Sequence, residues 1–290
     1  MFLVTGATGS LGRRIVRLLR QENSAVRAFV RLFSNYRELE ESGAEIFIGD
    51  LTDDRDIAKA VRGVDYIISA HGSGNDTVAL DYRANIELID RAKENGVKHF
   101  VYLSVLGVDR YNEDAPVFKA KREVEKYLIA SGLPHTILRP SGFSNNLLPL
   151  AERFRETGIY LLVGEESHRS SIVSTDDLAR IAAESVRVEK ARDQILAIGG
   201  PDILTRGDIP RIFGKIFQKE PIIINPPLFV FDGLRTGIGL LNPKLQRSLG
   251  TLRTLLANEF FVTREEVTAI ESIYHFQLES VESFLRRYLA

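Results

Sequence analysis

The chain has 290 residues, 44% of them hydrophobic and 27% charged, with a formal net charge of −1. That is enough apolar material for a sizeable core, and the near-neutral balance leaves no basic surplus to neutralise a nucleic-acid backbone. Cysteine is absent, which excludes a disulfide framework, a thiol nucleophile and a thiolate metal site.

The first element is the apolar run Phe2-Leu3-Val4-Thr5, which passes directly into Gly6-Ala7-Thr8-Gly9-Ser10-Leu11-Gly12-Arg13 and then an amphipathic segment, Ile15 to Leu19. The order is strand, tight turn, helix. Gly6 permits a backbone conformation that a side chain resists, Gly9 clears the approach of a pyrophosphate, and Gly12 lets the helix lie close to the strand. The helix N-terminus then offers amides and a positive dipole end to phosphates. The spacing is Gly-x-x-Gly-x-x-Gly, not the Gly-x-Gly-x-x-Gly of many dehydrogenases. The second strand, Ala25 to Val30, ends at Arg31. An acidic residue about 20 positions past the glycines would hold the ribose 2′-hydroxyl of NAD. A guanidinium there suits a 2′-phosphate instead, and Arg13 would join it. The expected cofactor is therefore NADP, with NAD the lesser alternative.

Strand-like and helical patterns go on alternating. Glu45-Ile46-Phe47-Ile48 is a third strand, followed by Gly49-Asp50-Leu51 and a helix from Asp53 to Val61. Asp65 to Ala70 is a fourth strand, breaking into His71-Gly72, and Leu80 to Asn95 a helix. His99 to Ser104 is a fifth strand, Pro116 to Ala130 a helix, and Thr136 to Arg139 a sixth strand stopped by Pro140. This alternation predicts an α/β fold, a doubly wound parallel Rossmann sheet with a smaller, mostly helical C-terminal substrate lobe. We expect residues 1–150 to form the dinucleotide-binding domain, 171–200 to return to it, and 151–290 to supply the substrate or lid lobe. Ligands on such sheets bind at the carboxyl ends of strands, here Thr5, Arg31, Asp50, Ala70 and Ser104.

Farther on, Ser174 caps a helix, Gln194 to Ile198 is another strand, and a helix runs to Phe217. The apolar stretch Leu228 to Leu241 is too short and too polar to span a bilayer. It reads as a lid over a substrate pocket, or else as a face for a protein partner or membrane. The chain opens inside its first strand, which leaves no room for a targeting peptide and implies a cytoplasmic or organelle-stroma setting. The five histidines, His71, His99, His135, His168 and His275, have no metal-ligand spacing, and no Gly-x-Ser-x-Gly elbow or Walker lysine occurs.

Taken together, Thr5 to Gly12, Gly49-Asp50-Leu51, His99 to Ser104, Lys121 with Glu125, Ile137 to Phe143 and Ile198 to Pro201 resemble the short-chain dehydrogenase/reductase superfamily. Within it the chain is similar to the atypical, NmrA-like branch, which includes isoflavone-reductase-like enzymes, quinone reductases and divinyl chlorophyllide reductase. The resemblance implies that Asp50 accepts a hydrogen bond from the adenine amino group, with Leu51 beside the ring. It implies that Ala70, His71 and Gly72 pass along the cofactor, that Asn85 is structural, and that Ser104 stands beside the nicotinamide. One departure matters. The superfamily's Tyr-x-x-x-Lys pair is here Val117-Phe118-Lys119-Ala120-Lys121, so the lysine is kept and the tyrosine is not. Without the phenol, Lys121 would act alone or through water, hold the ribose hydroxyls, or face an enolate formed at a conjugated C=C. The catalytic candidates are thus Lys121 and Ser104. Phe118, Phe143, Asn145 and Asn146 are candidates for the wall of a small-molecule substrate pocket. The expected function is an NADPH-dependent reductase of an activated C=C or quinone-like carbonyl. The rivals are a non-catalytic dinucleotide sensor or assembly factor and, disfavoured by Val117, a sugar-nucleotide epimerase.

Overall fold

The structure is a computed structural model that describes residues 1–72, 76–110, 115–241 and 243–289. Its centre is a seven-stranded sheet in the order β3-β2-β1-β4-β5-β6-β9. The strands are β1 (Phe2–Thr5), β2 (Val26–Val30), β3 (Glu45–Ile48), β4 (Tyr66–Ser69), β5 (His99–Leu103), β6 (His135–Pro140) and β9 (Gln194–Ile198). Every neighbouring pair is parallel. The interleaved helices are α1 (Ser10–Gln21), α2 (Arg37–Glu41), α3 (Asp54–Val61), α4 (Ala84–Glu94), α5 (Pro116–Ser131), α6 (Leu148–Thr157) and α7 (Thr175–Glu184). The strand order reverses between β1 and β4, which is where a doubly wound sheet opens a crevice for a ligand.

Helices cover both faces, so the strands are apolar on both. Phe2 and Val4 enter one core, and Leu3 between them enters the other. On β5, Val101 and Leu103 face the first core while Phe100 and Tyr102 face the second. This explains why the strands read as continuous apolar runs rather than alternating ones.

Two short ribbons flank the sheet. They pair β7 (Ile159–Leu161) with β11 (Ile222–Ile224), and β8 (Arg169–Ser170) with β10 (Leu204–Thr205). The last helices are α8 (Asp208–Phe217), α9 (Leu228–Leu241), α10 (Pro243–Ala257), α11 (Arg264–Tyr274) and α12 (Val281–Leu289). A third core joins Leu147, Ala151 and Phe154 to Ile209, Phe213, Phe284 and Leu285. Arg206 fastens the end of α10, donating to the carbonyls of Leu255, Leu256 and Asn258. No helix among the described residues is long and apolar enough to cross a membrane.

Three local features depart from the sequence reading. The helix expected from Leu80 begins earlier, as a π-helical turn over Thr77–Arg83 that then tightens into α4. Asp76 caps it, accepting from the Ala79 amide. Pro140 does not stop β6 but forms its last residue, which is tolerable because a strand end needs no further donor. The ribbons were not expected because their strands have only two or three residues, too few to show a period.

The glycine turn is tightly packed. A Cβ on Gly12 would lie 2.2 Å from the Gly6 carbonyl oxygen, and one on Gly6, whose φ is +68°, would lie 2.6 Å from that of Ala70. Gly233, inside α9, has open space around it. Gly12→Ala should therefore cost roughly 1–3 kcal/mol. Gly233→Ala should be neutral or stabilise by up to about 1 kcal/mol through helix propensity. Urea unfolding of both variants checks the contrast, and equal midpoints would contradict it.

Candidate functional site

The glycine turn ends in an open helix terminus. Gly9 occupies the N-cap of α1 and offers no side-chain hydrogen bond, so the first-turn amides of Ser10, Leu11 and Gly12 have no side-chain cap. A Cβ on Gly9 would meet only the Gly6 oxygen, at 3.2 Å. The turn is thus a cradle of backbone donors with room for an anion. In front of it lies a cleft of about 570 Å³ across the carboxyl ends of β1, β2 and β4. Its walls include Gly6, Thr8, Gly9, Arg31, Asp50, Leu51, Ala70, His71 and Gly72. Phe29, Thr52 and Leu80, which sequence reasoning did not single out, complete it. A larger groove of about 810 Å³, between the edge strand β9 and α11, contains none of the expected site residues.

The two arginines differ in their engagements. Arg13 donates from Nε to the Thr8 carbonyl at 2.9 Å and spends its other nitrogens on Glu38 and the Asn35 carbonyl. It braces the glycine turn against the loop after β2 and does not line the cleft. Arg31 is exposed at the cleft wall, and among the described residues its guanidinium has no carboxylate partner. Asp50 folds its Oδ1 back to the amide and hydroxyl of Thr52, both at 2.8 Å. Its Oδ2 accepts none of the described hydrogen bonds.

His71 is fixed by partners on both nitrogens. Its Nε2 lies 2.9 Å from the Leu80 carbonyl, and its Nδ1 lies 2.8 Å from the Thr5 hydroxyl. A carbonyl only accepts, so Nε2 carries the proton and Nδ1 accepts from Thr5; this tautomer is assigned from the partners. The Ser69 hydroxyl donates instead to Asn85 Oδ1, at 2.6 Å, and Asn85 Nδ2 donates to the Asp81 carbonyl. Asn85 therefore ties β4 to the π turn. Burial holds the imidazole pKa down at about 4.

The catalytic candidates lie deeper, at the end of β5. Lys121 is 8% exposed and donates from Nζ to the Leu103 carbonyl at 2.8 Å. Its ammonium sits over the Tyr102 ring, 5.2 Å from the centroid, and 3.9 Å from Asp81 Oδ1. Ser104 Oγ, next along the chain from Leu103, is buried and has no hydrogen-bond partner among the described residues. Burial lowers the Lys121 pKa, while Asp81 and Glu125 oppose that shift. Sequence reasoning missed Asp81 and Tyr102. Val117, in the position of the superfamily tyrosine, begins the same helix one turn earlier.

The four substrate-wall candidates are not brought to the cleft. Phe118 is buried, stacked on Phe260 with centroids 6.0 Å apart. Phe143 is half-buried and bridges to Val173. Asn145 accepts from Arg14, and Asn146 is exposed. None of the four is among the residues lining the 570 Å³ cleft.

A Rossmann sheet with a glycine cradle at its switch point defines a dinucleotide-binding protein, and residues 6–189 match the NAD(P)H-binding family. The chain belongs to that family, as an atypical short-chain dehydrogenase/reductase of the NmrA-like kind. It is 31% identical over 212 residues to an NAD(P)H azoreductase of Xenophilus azovorans, covering 72% of this chain and 71% of that one. It is 26% identical over 300 residues to the photosystem II assembly factor Ycf39 of Cyanophora paradoxa, covering 99% and 92%. The NADPH complex of the quinone oxidoreductase QOR2 of Escherichia coli shares the fold, with a TM-score of 0.81 at 20% identity over the whole of both chains. Among the described residues no acidic or histidine cluster could hold a metal ion.

The neutral His71 carries a consequence for stability. Its folded pKa of about 4 lies below the ordinary 6.5, so between those values the unfolded chain takes up a proton that the folded chain refuses. Stability is full above the window and falls as pH drops through it, by roughly 2–3 kcal/mol. His99, also held at about 4 by burial, adds to the same slope. Urea unfolding at about pH 7 and about pH 4.5 should show wild type losing more than His71→Asn by that margin; equal losses would contradict the assignment.

Proposed function

We propose that the protein is an NADPH-dependent reductase that passes a hydride to an activated C=C or quinone-like carbonyl of a small molecule. The observation that carries this reading is the buried Lys121 ammonium on the Leu103 carbonyl, one residue before Ser104, whose buried hydroxyl has no hydrogen-bond partner among the described residues, at the end of the strand adjoining the dinucleotide cleft. An orphan hydroxyl and a desolvated cation at one strand end are costly unless a ligand uses them. When bound, NADPH would supply the hydride.

The chain's own groups have separable tasks. The first-turn amides of α1 would hold the pyrophosphate. Arg31, free of carboxylates, would meet the 2′-phosphate, and Arg13 would keep the glycine turn in shape through Thr8. Asp50 and Leu51 would hold the adenine. Lys121 would place positive charge where an oxyanion develops. Residues 1–150 with 171–200 would carry the cofactor and 151–290 the substrate, with α9 as a lid. The packing of α10 on both α9 and α5, the helix of Lys121, supports that placement.

A second reading has its own observation. Val117 removes the usual proton donor, and the relatives include assembly factors. In that case the protein binds the dinucleotide without turnover, and the exposed Phe229 and Leu234 of α9 would meet a partner protein or membrane face.

Two variants test these assignments. Arg31→Asp should weaken NADPH binding on the order of tenfold or more while leaving NADH binding nearly unchanged. Equal losses for the two cofactors would remove the phosphate role. Lys121→Met should lower turnover of a quinone or enone by about 100-fold or more with the fold intact. An unchanged rate would take the lysine out of the chemistry, and NADPH binding without turnover on any acceptor would favour the binding module.

A further inference from the structure

Asp81 lies inside the π-helical turn and is fully buried, yet among the described residues neither carboxylate oxygen has a hydrogen-bond partner. A carboxylate in that setting is tolerated only against a compensating charge. The charge it faces is Lys121, at 3.9 Å. Lys121 has the matching difficulty. One of its three N–H groups is used on the Leu103 carbonyl, and burial favours loss of its proton.

The other titratable groups around α5 are already engaged or remote. Glu125, one turn along the helix, accepts both Nε and Nη2 of Arg139, at 2.9 and 2.6 Å, and also Arg122. On α4, Asp90 accepts from Tyr127, and Arg91 is held by Glu87 and Glu94. On α10, Arg253 pairs with Asp232. In the π turn itself Arg83 is exposed. His71 is neutral at ordinary pH, and Tyr102 keeps its proton because burial raises its pKa well above the usual value.

We propose that Asp81 is the positioning residue that keeps Lys121 an ammonium at the end of β5, with the face of Tyr102 completing the seat. The proposal rests on and deepens the reductase reading, in that it explains how a lysine without its tyrosine partner stays cationic at the end of β5. Two interactions favour the charged form: the Coulomb attraction of Asp81 at short range in a poorly screened interior, and the face of the Tyr102 ring. Asp81 and Tyr102 are both fully buried and neither lines the cleft, so Asp81 acts through Lys121 and not on the reacting atoms.

The test is a titration of the full-length protein carrying ¹³Cε-labelled lysine, followed by NMR, with Lys121→Met assigning the Lys121 signal by its disappearance. In Asp81→Asn the Lys121 midpoint should fall by at least about one pH unit. An unchanged midpoint in a folded variant would overturn the proposal. Should Asp81→Asn fail to fold, Lys121→Met supplies the second measurement. It strands the Asp81 carboxylate without its cation, so its urea midpoint at about pH 7 should lie below that of the double variant Asp81→Asn/Lys121→Met; equal midpoints would equally overturn the pairing. Neither readout needs a substrate. A shifted midpoint together with normal turnover by Lys121→Met would keep the ion pair and discard the reductase role, and the converse pattern would do the opposite.

Discussion

The structure depends on a close approach of backbone to backbone. The turn after β1 lies against the start of α1 and against the turn after β4, with no space for a Cβ on Gly6 or Gly12. That contact brings the N-terminus of α1 to the switch point of the sheet and fixes the Thr5 hydroxyl where it can donate to His71. His71 in turn holds Leu80 in the π turn, and Asn85 links the same turn to Ser69 on β4. One set of short contacts therefore runs from the glycine cradle to the segment that carries Asp81. The phosphate end and the lysine end of the site are mechanically joined.

The second organising feature is electrical. The cleft wall offers a cation, Arg31, with no carboxylate partner among the described residues, while at the end of β5 the buried Lys121 faces the buried Asp81 carboxylate, helped by the Leu103 carbonyl and the Tyr102 ring. Buried ion pairs are poor sources of net stability, since desolvation offsets most of the attraction. Their presence here makes better sense as a functional arrangement. The end of β5 holds a buried charge, and the hydroxyl of Ser104, the residue after that strand, has no hydrogen-bond partner among the described residues. A protein that needed only a stable core would be better served by apolar residues at those positions.

Much of the fold was legible because it rests on strong local signals. The strands of the main sheet, the helices between them and the glycine turn are marked by long apolar runs and by glycine or proline at their ends. Cleft residues such as Arg31, Asp50 and His71 were legible for a related reason. They follow strand ends, and in a parallel doubly wound sheet strand ends share one edge. Asp81 was not legible. Its burial follows from the π turn over Thr77–Arg83, which shifts the helical phase, so a 3.6-residue pattern does not place its side chain. Tyr102 was concealed by its strand, where an apolar reading suffices and nothing local shows that Lys121 of the next helix, α5, lies on its ring. Phe118 and Asn145 follow a different rule. By residue type and place, Phe118 on the helix of Lys121 and Asn145 beyond β6 suggest a pocket wall, but tertiary packing turns Phe118 onto Phe260 and gives Asn145 to Arg14.

The most direct measurement of the central claim is a calorimetric titration of the purified, dinucleotide-free protein with NADPH and with NADH. The account predicts saturable binding of one dinucleotide per chain, tighter for NADPH, with the difference shrinking as salt is raised because one exposed guanidinium recognises the phosphate. Heat of dilution alone for both dinucleotides would contradict it, for the reductase and for the binding module together.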